Sequence, residues 1–377
     1  MDLKAESLKL HKKYRGKIET KVKVPLKNRH DLALAYTPGV AQVCLAIREN
    51  RERSWELTNR ANTVAIVTDG TAILGLGNIG PEAGMPVMEG KAAIFKSFAD
   101  VDAVPLCIST CETEEIIKFC KDIEPSFGGI NLEDISAPRC FEVVERLEKE
   151  LSIPVFHDDQ DGTAIVVLAA LLNACRVTGK VMSNLKAVVN GAGAAGIAIT
   201  RLILHAGVKD IILVDSVGTI YEGRADMNKY KQAIAKLTNK KKVAGRLEEA
   251  MRGADIFIGV SKANLVDQKM VKTMRPGPII FAMANPNPEI LPQDALAAGA
   301  SIVGTGRSDF PNQVNNALVF PGIFRGLFDG RKKRVTVQMK LKAAQALAYS
   351  LKPHKNKILP LITEKKVVKV IAKAINS

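Results

Sequence analysis

The chain has 377 residues, of which 47% are hydrophobic and 25% are charged, and this composition is typical of a soluble globular protein. Its formal net charge is +15, but the lysines and arginines are scattered and aromatic residues make up only 5%. Without a basic-aromatic surface or a recognisable nucleic-acid motif, the composition argues against specific nucleic-acid binding and favours a positive field that attracts small anionic substrates.

No segment of the sequence has the pattern of a secretion signal or a membrane span. The N-terminal stretch is charged throughout and has no apolar signal core, and the longest apolar run, residues 164–172, is too short to cross a bilayer. The six cysteines form no C-x-x-C pair and lie mostly in apolar runs, which predicts reduced core thiols and neither disulfides nor a zinc site. We therefore expect a cytoplasmic protein without a membrane partner.

The first blocks of the chain suggest an accessory element and a turn. Residues 1–20 have helical character, many lysines and few apolar side chains, which suggests an element that packs on a neighbour such as another subunit. In the next dense block a Thr-Pro-Gly turn follows Tyr36 directly, and the apolar run behind it indicates the start of a helix. A tyrosine at a turn is usually a packing residue with a solvated hydroxyl, so Tyr36 alone is a weak catalytic candidate.

Residues 64–67 and 72–76 are predicted as two strands joined at Asp69 and Gly70, which form a hairpin-type dipeptide. The following residues 75–80 fit the pattern G-x-G-x-x-G, but no apolar helix comes after them. We interpret this segment as a tight connection and not as a dinucleotide site.

Lys91 is placed at the start of a predicted amphipathic helix over residues 86–99. Most lysines at such positions are solvated, but small and apolar residues flank Lys91 and could hold its ammonium group in a dry cleft with a lowered pKa. A further strand is predicted over residues 102–107 and a further helix over residues 112–121.

Two acidic clusters each follow a short apolar run that we predict as a buried strand. Glu133 and Asp134 form the first cluster, and Asp158 and Asp159 form the second, with Asp161 just beyond. A segment with helical periodicity lies between the clusters, so the two strands are expected to be parallel and their carboxylates to lie side by side. Close carboxylates repel one another unless a cation or protons lie among them, which predicts a site for a hard divalent metal ion.

A strong dinucleotide signal follows the long apolar helix predicted over residues 162–175. A strand over residues 187–189 runs into a glycine-rich loop, an apolar helix and a second strand that ends at Asp215, 24 residues after the first glycine. The backbone at Gly193 can approach a pyrophosphate, and the N-terminus of the following helix stabilises the charge of that pyrophosphate. Asp215 would bind the ribose hydroxyls and repel a 2′-phosphate, which favours NAD over NADP. The loop consists of Gly191, Ala192, Gly193, Ala194, Ala195 and Gly196.

The remaining sequence continues the alternation of strands and helices. Asn285 directly follows a predicted strand, and the amides around Asn316 come later, so both are candidates for the edge of the sheet near the nicotinamide. The whole pattern predicts an α/β protein of two domains. A catalytic parallel-sheet domain would comprise residues 1–157, and a Rossmann-type doubly wound NAD-binding domain residues 158–315, with C-terminal helices over residues 316–377 returning to the first domain.

Taken together, these blocks resemble the malic enzyme family in its compact prokaryotic form. The resemblance runs over residues 34–326, and several of its motifs are highly specific. The matching segments are AYTPGVA, TDGTAILGLGNIG, MEGKA, GGINLEDISAP, IPVFHDDQDGTA, VVNGAGAAG, ANPNPE and GRSDFPNQVNNALVFPG.

The resemblance implies oxidative decarboxylation of L-malate to pyruvate and CO2 with reduction of NAD(P), in a homodimer or higher homo-oligomer. Glu133, Asp134 and Asp159 match the metal ligands of the family, and an all-oxygen set suits Mg2+ or Mn2+. The other matching residues have catalytic or substrate-binding roles in the family. Lys91 matches the general base, Asp158 its partner, Tyr36 the general acid, and Asn285 and Asn316 the amides that orient the substrate.

Two positions depart from the family pattern. Ala72 stands where larger members carry an arginine for the substrate carboxylate, so another cation is needed, for example one from a neighbouring subunit. Asp161 adds an acid where relatives have histidine or glutamine; it could tune the metal site or cap the following helix, and we favour the cap. Two alternative functions stay open, namely conversion of malate to lactate with bound NAD, and a non-catalytic nucleotide-binding protein on the same fold.

Overall fold

The computed structural model describes residues 3–377, which form nine strands and sixteen α-helices. The strands are β1 (Thr63–Thr68), β2 (Asp102–Cys107), β3 (Gly129–Leu132), β4 (Val155–His157), β5 (Lys186–Asn190), β6 (Asp210–Val214), β7 (Ile256–Gly259), β8 (Ile279–Ala282) and β9 (Ile302–Thr305). The helices are α1 (Leu3–Tyr14), α2 (Arg29–Ala35), α3 (Val40–Glu49), α4 (Ser54–Leu57), α5 (Pro81–Ala99), α6 (Thr113–Ile123), α7 (Arg139–Glu150), α8 (Thr163–Thr178), α9 (Ala194–His205), α10 (Lys229–Ala235), α11 (Leu247–Met251), α12 (Gln268–Lys272), α13 (Pro292–Ala297), α14 (Phe320–Asp329), α15 (Val337–Tyr349) and α16 (Lys366–Asn376).

Two parallel sheets organise the molecule, which confirms the predicted α/β class. The first sheet has the strand order β2-β1-β3-β4, and the second has the order β6-β5-β7-β8-β9. In each sheet the order reverses next to the strand that comes first in the chain. Ligands of open parallel sheets bind in the crevice that this reversal opens at the carboxyl ends of the strands.

Helix α8 lies at the centre of the molecule, and 11 of its 16 residues are buried. A turn of π-helix, Asp158–Gly162, leads into it directly from β4. Among residues 3–377, the continuous stretch Asp158–Thr178 is the one helix long and apolar enough to cross a membrane, but 67% of its apolar window is buried inside the protein. It is therefore the core helix that the apolar run predicted, and one continuous hydrophobic core extends from it into both sheets.

The C-terminal part of the chain packs against the first sheet and its helices. The ring of Phe320 on α14 lies 4.6 Å from that of Phe95 on α5, and the ring of Phe324 lies 6.0 Å from that of Phe156 on β4. These contacts support the proposed division, in which residues 1–157 and the helices after residue 316 form one domain and residues 158–315 form the other.

The predicted hairpin at Asp69 is wrong. Strand β1 already pairs with β2 on one side and β3 on the other, so no edge is free for an antiparallel neighbour. The Asp69 carboxylate accepts hydrogen bonds from the backbone N–H and the hydroxyl of Thr71, and Leu74 and Gly75 have positive φ angles of 44° and 74°. The segment is therefore a tight connection, as interpreted for residues 75–80, and contains no strand.

Two other predictions need correction. Helix α5 begins at Pro81, five residues earlier than predicted, so Lys91 lies in the middle of a helix and not at its start. All six cysteines are free, but only Cys120, Cys140 and Cys175 are buried, while Cys44 and Cys111 are exposed.

We define residues 3–49, which contain α1, α2 and α3, as the N-terminal arm. The predicted helical character is confirmed over Leu3–Tyr14, yet no residue of the arm is buried. The Lys17 ammonium donates to the carbonyl of Pro86 at 2.7 Å, which holds this part of the arm against α5. The packing of the arm on another subunit stays a prediction.

Candidate functional site

The two acidic clusters meet because β3 and β4 are neighbours in register. Leu132 at the end of β3 pairs with His157 at the end of β4, so Glu133 and Asp158 leave the same edge of the sheet side by side. This is the carboxyl edge of the sheet that the sequence predicted, and β3 also borders β1, where the strand order reverses.

Glu133, Asp134 and Asp159 converge on one point. A ligand oxygen from each of them lies within 4.8 Å of the other two. The side-chain amide of Asn131 donates to Glu133 at 3.0 Å, and the backbone N–H of Asp134 donates to Asp159 at 2.8 Å, so the carboxylates are held in place by neutral donors.

The electrostatics of this trio fit a divalent cation. Burial, followed by the charge of Asp159, raises the pKa of Asp134 to about 8, and burial raises the pKa of Glu133 well above its ordinary value. One carboxylate oxygen of Asp134 is buried without a hydrogen-bond partner among the described residues. Buried carboxylates this close are costly unless a cation lies among them, and hard divalent ions prefer oxygen ligands.

Lys91 reaches the trio from α5 and is only 7% exposed. Its ammonium contacts the carboxylate of Asp158, lies 2.7 Å from Glu133 and sits 4.4 Å above the centre of the Phe320 ring. The side chain is buried, but the pKa of Lys91 is raised, so the predicted lowering of this pKa is wrong. Burial lowers the pKa of this lysine, and the nearby carboxylates, Asp158 and Glu133 above all, outweigh that effect.

Asp158 is completely buried, and its main charged partner is Lys91. Burial raises the pKa of Asp158 to about 6, with the Lys91 charge acting in the opposite direction. The contact with Lys91 favours the ionised form of Asp158, and the carboxylate fixes the position of the ammonium nitrogen.

Asp161 is neither part of the trio nor a helix cap. Its carboxylate forms an ion pair at 2.6 Å with Lys340 on α15, and no side-chain hydrogen bond caps the start of α8. The cap interpretation is wrong because a cation from a distant helix takes the carboxylate instead.

The glycine-rich loop after β5 brings α9 close to the sheet. A Cβ atom at Gly196 would lie 1.6 Å from the carbonyl oxygen of Gly191, so only glycine permits this approach. A Cβ atom at Gly193 would meet nothing within 4 Å, and this space in front of the N-terminus of α9 is where a pyrophosphate can lie.

Asp215 ends β6 as predicted, but two cations cover it. Arg224 donates to both carboxylate oxygens at 2.9 and 2.5 Å, Lys231 donates at 2.6 Å, and only 6% of the Asp215 side chain is exposed. Although burial opposes it, these hydrogen bonds hold the pKa of Asp215 well below its usual range.

A cavity of about 490 Å³ connects the two halves of the site, a size that suits a small substrate with part of a nucleotide. Lys91 and the acidic trio line one side, and Ala195 of the glycine-rich loop lines another. Asn285 and Asn316 complete the wall, as predicted. Ala72 also lines the cavity, and Lys91 is the sole cation in its wall as far as residues 3–377 are concerned.

Of the predicted catalytic residues, Lys91 lines the cavity, Asp158 lies behind it in contact with Lys91, and Tyr36 is not brought to the cavity by this chain. Tyr36 is 68% exposed, and the lining of the cavity contains no described residue before Ala72.

Several residues of the site carried no signal in the sequence. Arg224 and Lys231 follow Asp215 by 9 and 16 residues in no recognisable pattern. Glu289, by contrast, is the last residue of the ANPNPE segment, so the sequence contained a signal for an acidic residue at this position. It is completely buried and accepts hydrogen bonds from the backbone N–H groups of Ser261 and Ala284, so it ties together two loops that line the cavity.

Protein-family models match both halves of the chain. The model for the NAD-binding domain of malic enzyme matches residues 160–377, and the model for the N-terminal domain of malic enzyme matches residues 15–118 and 110–148.

Individual relatives are similar over nearly the whole chain. The bifunctional malic/malolactic enzyme of Bacillus subtilis (strain 168) is 54% identical, with coverage of 100% of this chain and 92% of that protein. The NAD-dependent malic enzyme of Geobacillus stearothermophilus is 53% identical, with coverage of 96% and 76%. The solved structure of the NAD-dependent malic enzyme from Thermotoga maritima matches with a TM-score of 0.96 and 50% identity, covering 98% of this chain and 99% of that one.

Proposed function

The chain belongs to the malic enzyme family, and from that premise we propose that it catalyses the oxidative decarboxylation of L-malate to pyruvate and CO2 with reduction of NAD. The observation that carries this proposal is the cavity in which Lys91, the acidic trio and the glycine-rich loop meet. A base, a cation site and a nucleotide site on one cavity of this size are the parts that the reaction requires.

We propose that Glu133, Asp134 and Asp159 hold one Mg2+ or Mn2+ ion. Three convergent oxygen ligands, two of them on buried residues with raised pKa values, support this assignment. When bound, the ion would polarise the substrate oxygens and stabilise the negative charge that develops as CO2 leaves.

Lys91 is the proposed general base. It takes the proton of the C2 hydroxyl of malate while the nicotinamide accepts the hydride, and Asp158 keeps its nitrogen in position. A base has to be neutral, whereas the carboxylates around Lys91 favour its ammonium form. A divalent cation among the same carboxylates would offset their charge and remove the cause of the raised pKa.

Two further roles are proposed, one in substrate orientation and one in proton transfer. Asn285 and Asn316 line the cavity and can orient the substrate through hydrogen bonds from their amides. Tyr36 is the proposed general acid that protonates carbon after CO2 has left. We also propose a cytoplasmic homo-oligomer without a specific nucleic-acid or membrane partner.

The assay that tests the function measures malate-dependent formation of NADH and pyruvate, with Mn2+ and with EDTA. We expect stoichiometric NADH and pyruvate that EDTA abolishes. Because a relative is a bifunctional malic/malolactic enzyme, lactate is measured in the same samples. Lactate without net NADH would replace the proposal with the malolactic reaction, and no conversion of malate by any route would refute both.

Nucleotide preference is proposed to depend on Asp215 together with its two cations. The carboxylate disfavours a 2′-phosphate, but Arg224 and Lys231 neutralise much of its charge, so we expect NAD to be preferred and NADP to be accepted. Replacing Asp215 by alanine frees both cations to bind a 2′-phosphate. The ratio of kcat/KM for NADP to that for NAD is expected to rise about tenfold or more, since a charged hydrogen bond contributes about 1.5–3 kcal/mol.

Asp210→Ala is the matched control, because it removes the same charge from the other end of β6. This control is expected to leave the ratio unchanged. A ratio that stays constant in Asp215→Ala, or a wild-type enzyme that prefers NADP, would refute the assignment of Asp215.

A further inference from the structure

The turn Asp158–Gly162 separates the catalytic cavity from a second, smaller cavity of about 190 Å³. Asp159 lines the catalytic cavity, whereas Gln160 and Asp161 line the second one. Helices α7 and α9 form two of its walls, and α15 closes another side. Among residues 3–377, the two cavities share no lining residue, and the proposed function uses none of the residues of the second cavity.

The two helices present opposite charges to the second cavity. Glu145 and Glu148 lie three residues apart on α7, and Arg201 and His205 lie four residues apart on α9. Residues at these spacings share one face of a helix, so an acidic wall and a basic wall border the same space. Within the part of the chain that the structure describes, no ion pair joins the two walls, so their charged groups stay available to a ligand.

Glu148 on the acidic wall lacks a partner. Its side chain is partly buried and has no hydrogen bond or ion pair to any described residue. Burial raises the pKa of Glu148 above its ordinary value, and the charge of Lys340 acts in the opposite direction. Lys340 already pairs with Asp161 at 2.6 Å. A positively charged group of a ligand would therefore stabilise the Glu148 carboxylate.

Two hydrogen-bond donors of the second cavity also lack a partner. The guanidinium of Arg201 forms no hydrogen bond or ion pair with any described residue, and the side-chain amide nitrogen of Gln160 is buried without a hydrogen-bond partner among them. An arginine can bind a carboxylate through two parallel hydrogen bonds. The cavity therefore offers an acceptor for a cation on one wall and donors for a carboxylate on the other sides.

The rest of the lining is apolar and limits the size of a ligand. Side chains of α7, α9 and α15 form this part of the surface, namely Phe141, Val144, Ile197, Leu202 and Val337. An engineered apolar cavity of about 150 Å³ holds benzene, so about 190 Å³ suits a molecule with a short aliphatic part and small polar groups. A nucleotide is too large for this space.

We propose that the second cavity binds a free α-amino acid with an aliphatic side chain, such as leucine. Its ammonium group pairs with Glu148, its carboxylate pairs with Arg201, and its side chain packs on the apolar lining. A zwitterion satisfies both walls at once, whereas a simple amine or a simple carboxylic acid leaves one wall without a partner. Helix α7 connects two strands of the first sheet and α9 two strands of the second, so the bound amino acid links the two halves of the molecule and stabilises the folded chain. This site does not depend on the proposed reaction.

Calorimetric titration and thermal unfolding of the wild-type protein test the site with leucine and two analogues. Isoamylamine lacks the carboxylate of leucine, and isocaproate lacks its amino group. Leucine is expected to bind and to raise the melting temperature, and each analogue is expected to bind about tenfold or more weakly because it loses one charged hydrogen bond. Equal binding of isoamylamine would reduce the cavity to a cation site, equal binding of isocaproate would reduce it to an anion site, and no binding of leucine would indicate a cavity that holds only water. Each of these three results would overturn the proposal.

Two substitutions assign the bound leucine to this cavity and not to the catalytic one. Glu148→Gln and Arg201→Gln each remove one charge from the second cavity, and each is expected to weaken leucine binding about tenfold or more. Glu150→Gln is the matched control, because it removes the same charge from the same helix outside the cavity, and it is expected to leave leucine binding unchanged. Wild-type affinity for leucine in either cavity variant, or an equal loss in Glu150→Gln, would contradict the site.

Discussion

Lys91→Ala is expected to lower kcat for malate oxidation by about 100- to 10,000-fold, the contribution typical of a positioned general base. The ammonium is buried between Asp158 and Glu133, and no other described basic group lines the cavity that could replace it. Small amines added to the Lys91→Ala enzyme are expected to restore part of the activity in proportion to their concentration. Steady-state kinetics with methylamine measure this recovery, which a purely structural role of the lysine would not produce.

The matched control is Lys96→Ala, five residues further along the same helix. The Lys96 side chain is 53% exposed and pairs with Asp100 and Asp102 at the surface, so its removal is expected to leave kcat unchanged. Lys91→Ala also leaves Asp158 buried without its cation, which destabilises the fold. Circular dichroism therefore has to show a folded variant at the assay temperature. Near-normal NADH formation by the folded variant would refute the assignment.

Titration with Mn2+ is expected to show one bound ion per chain and the release of protons on binding. In the metal-free protein the pKa of Asp134 is about 8, so this carboxyl is largely protonated at neutral pH and has to lose its proton to become a ligand. Calorimetry in buffers of different ionisation enthalpy counts the protons. Asp134→Asn is expected to weaken Mn2+ binding by about 10- to 100-fold or more and to abolish part of the proton release.

The same pKa sets how the stability of the metal-free protein depends on pH. The folded-state pKa of Asp134 is raised above its ordinary value of 3.8 to about 8. The protonated Asp134 therefore contributes its full stabilisation below pH 3.8, and this stabilisation is lost as the pH rises through about 8. Melting temperatures in EDTA are expected to fall over this window, and Mn2+ is expected to restore them at its upper end. Asp161→Asn is the control, because Asp161 pairs with Lys340 and lies outside the trio. Unchanged binding by Asp134→Asn, or loss of binding by Asp161→Asn, would contradict the ligand set.

The features that could be predicted from the sequence are those that depend on short, continuous stretches of the chain. Buried runs that end in acidic residues identified β3, β4 and the carboxylate pairs beside them, because strand and site are adjacent in sequence. The glycine spacing identified the nucleotide loop for the same reason. The predicted hairpin failed because strand partners are distant, since β1 lies between β2 and β3 and the local turn signal at Asp69 has no influence on that.

Electrostatic environments were harder to predict than positions. The raised pKa of Lys91 comes from Asp158, which is 67 residues away in sequence, and the sequence gives no distance between them. The cover over Asp215 comes from Arg224 and Lys231, whose spacing fits no motif. Motif resemblance assigned Tyr36 a role, but the position of the exposed arm that carries it follows only from the tertiary structure.

Helix α8 limits how this protein can be recombined. It follows directly from the turn that holds Asp158 and Asp159, and its buried side chains belong to a core shared by both sheets. The nucleotide-binding half is therefore not an exchangeable module. A chimera that takes its nucleotide-binding half from another dehydrogenase has to retain the Asp158–Thr178 segment and the C-terminal helices of this protein. Otherwise the exchange also removes the helices that pack on the first sheet.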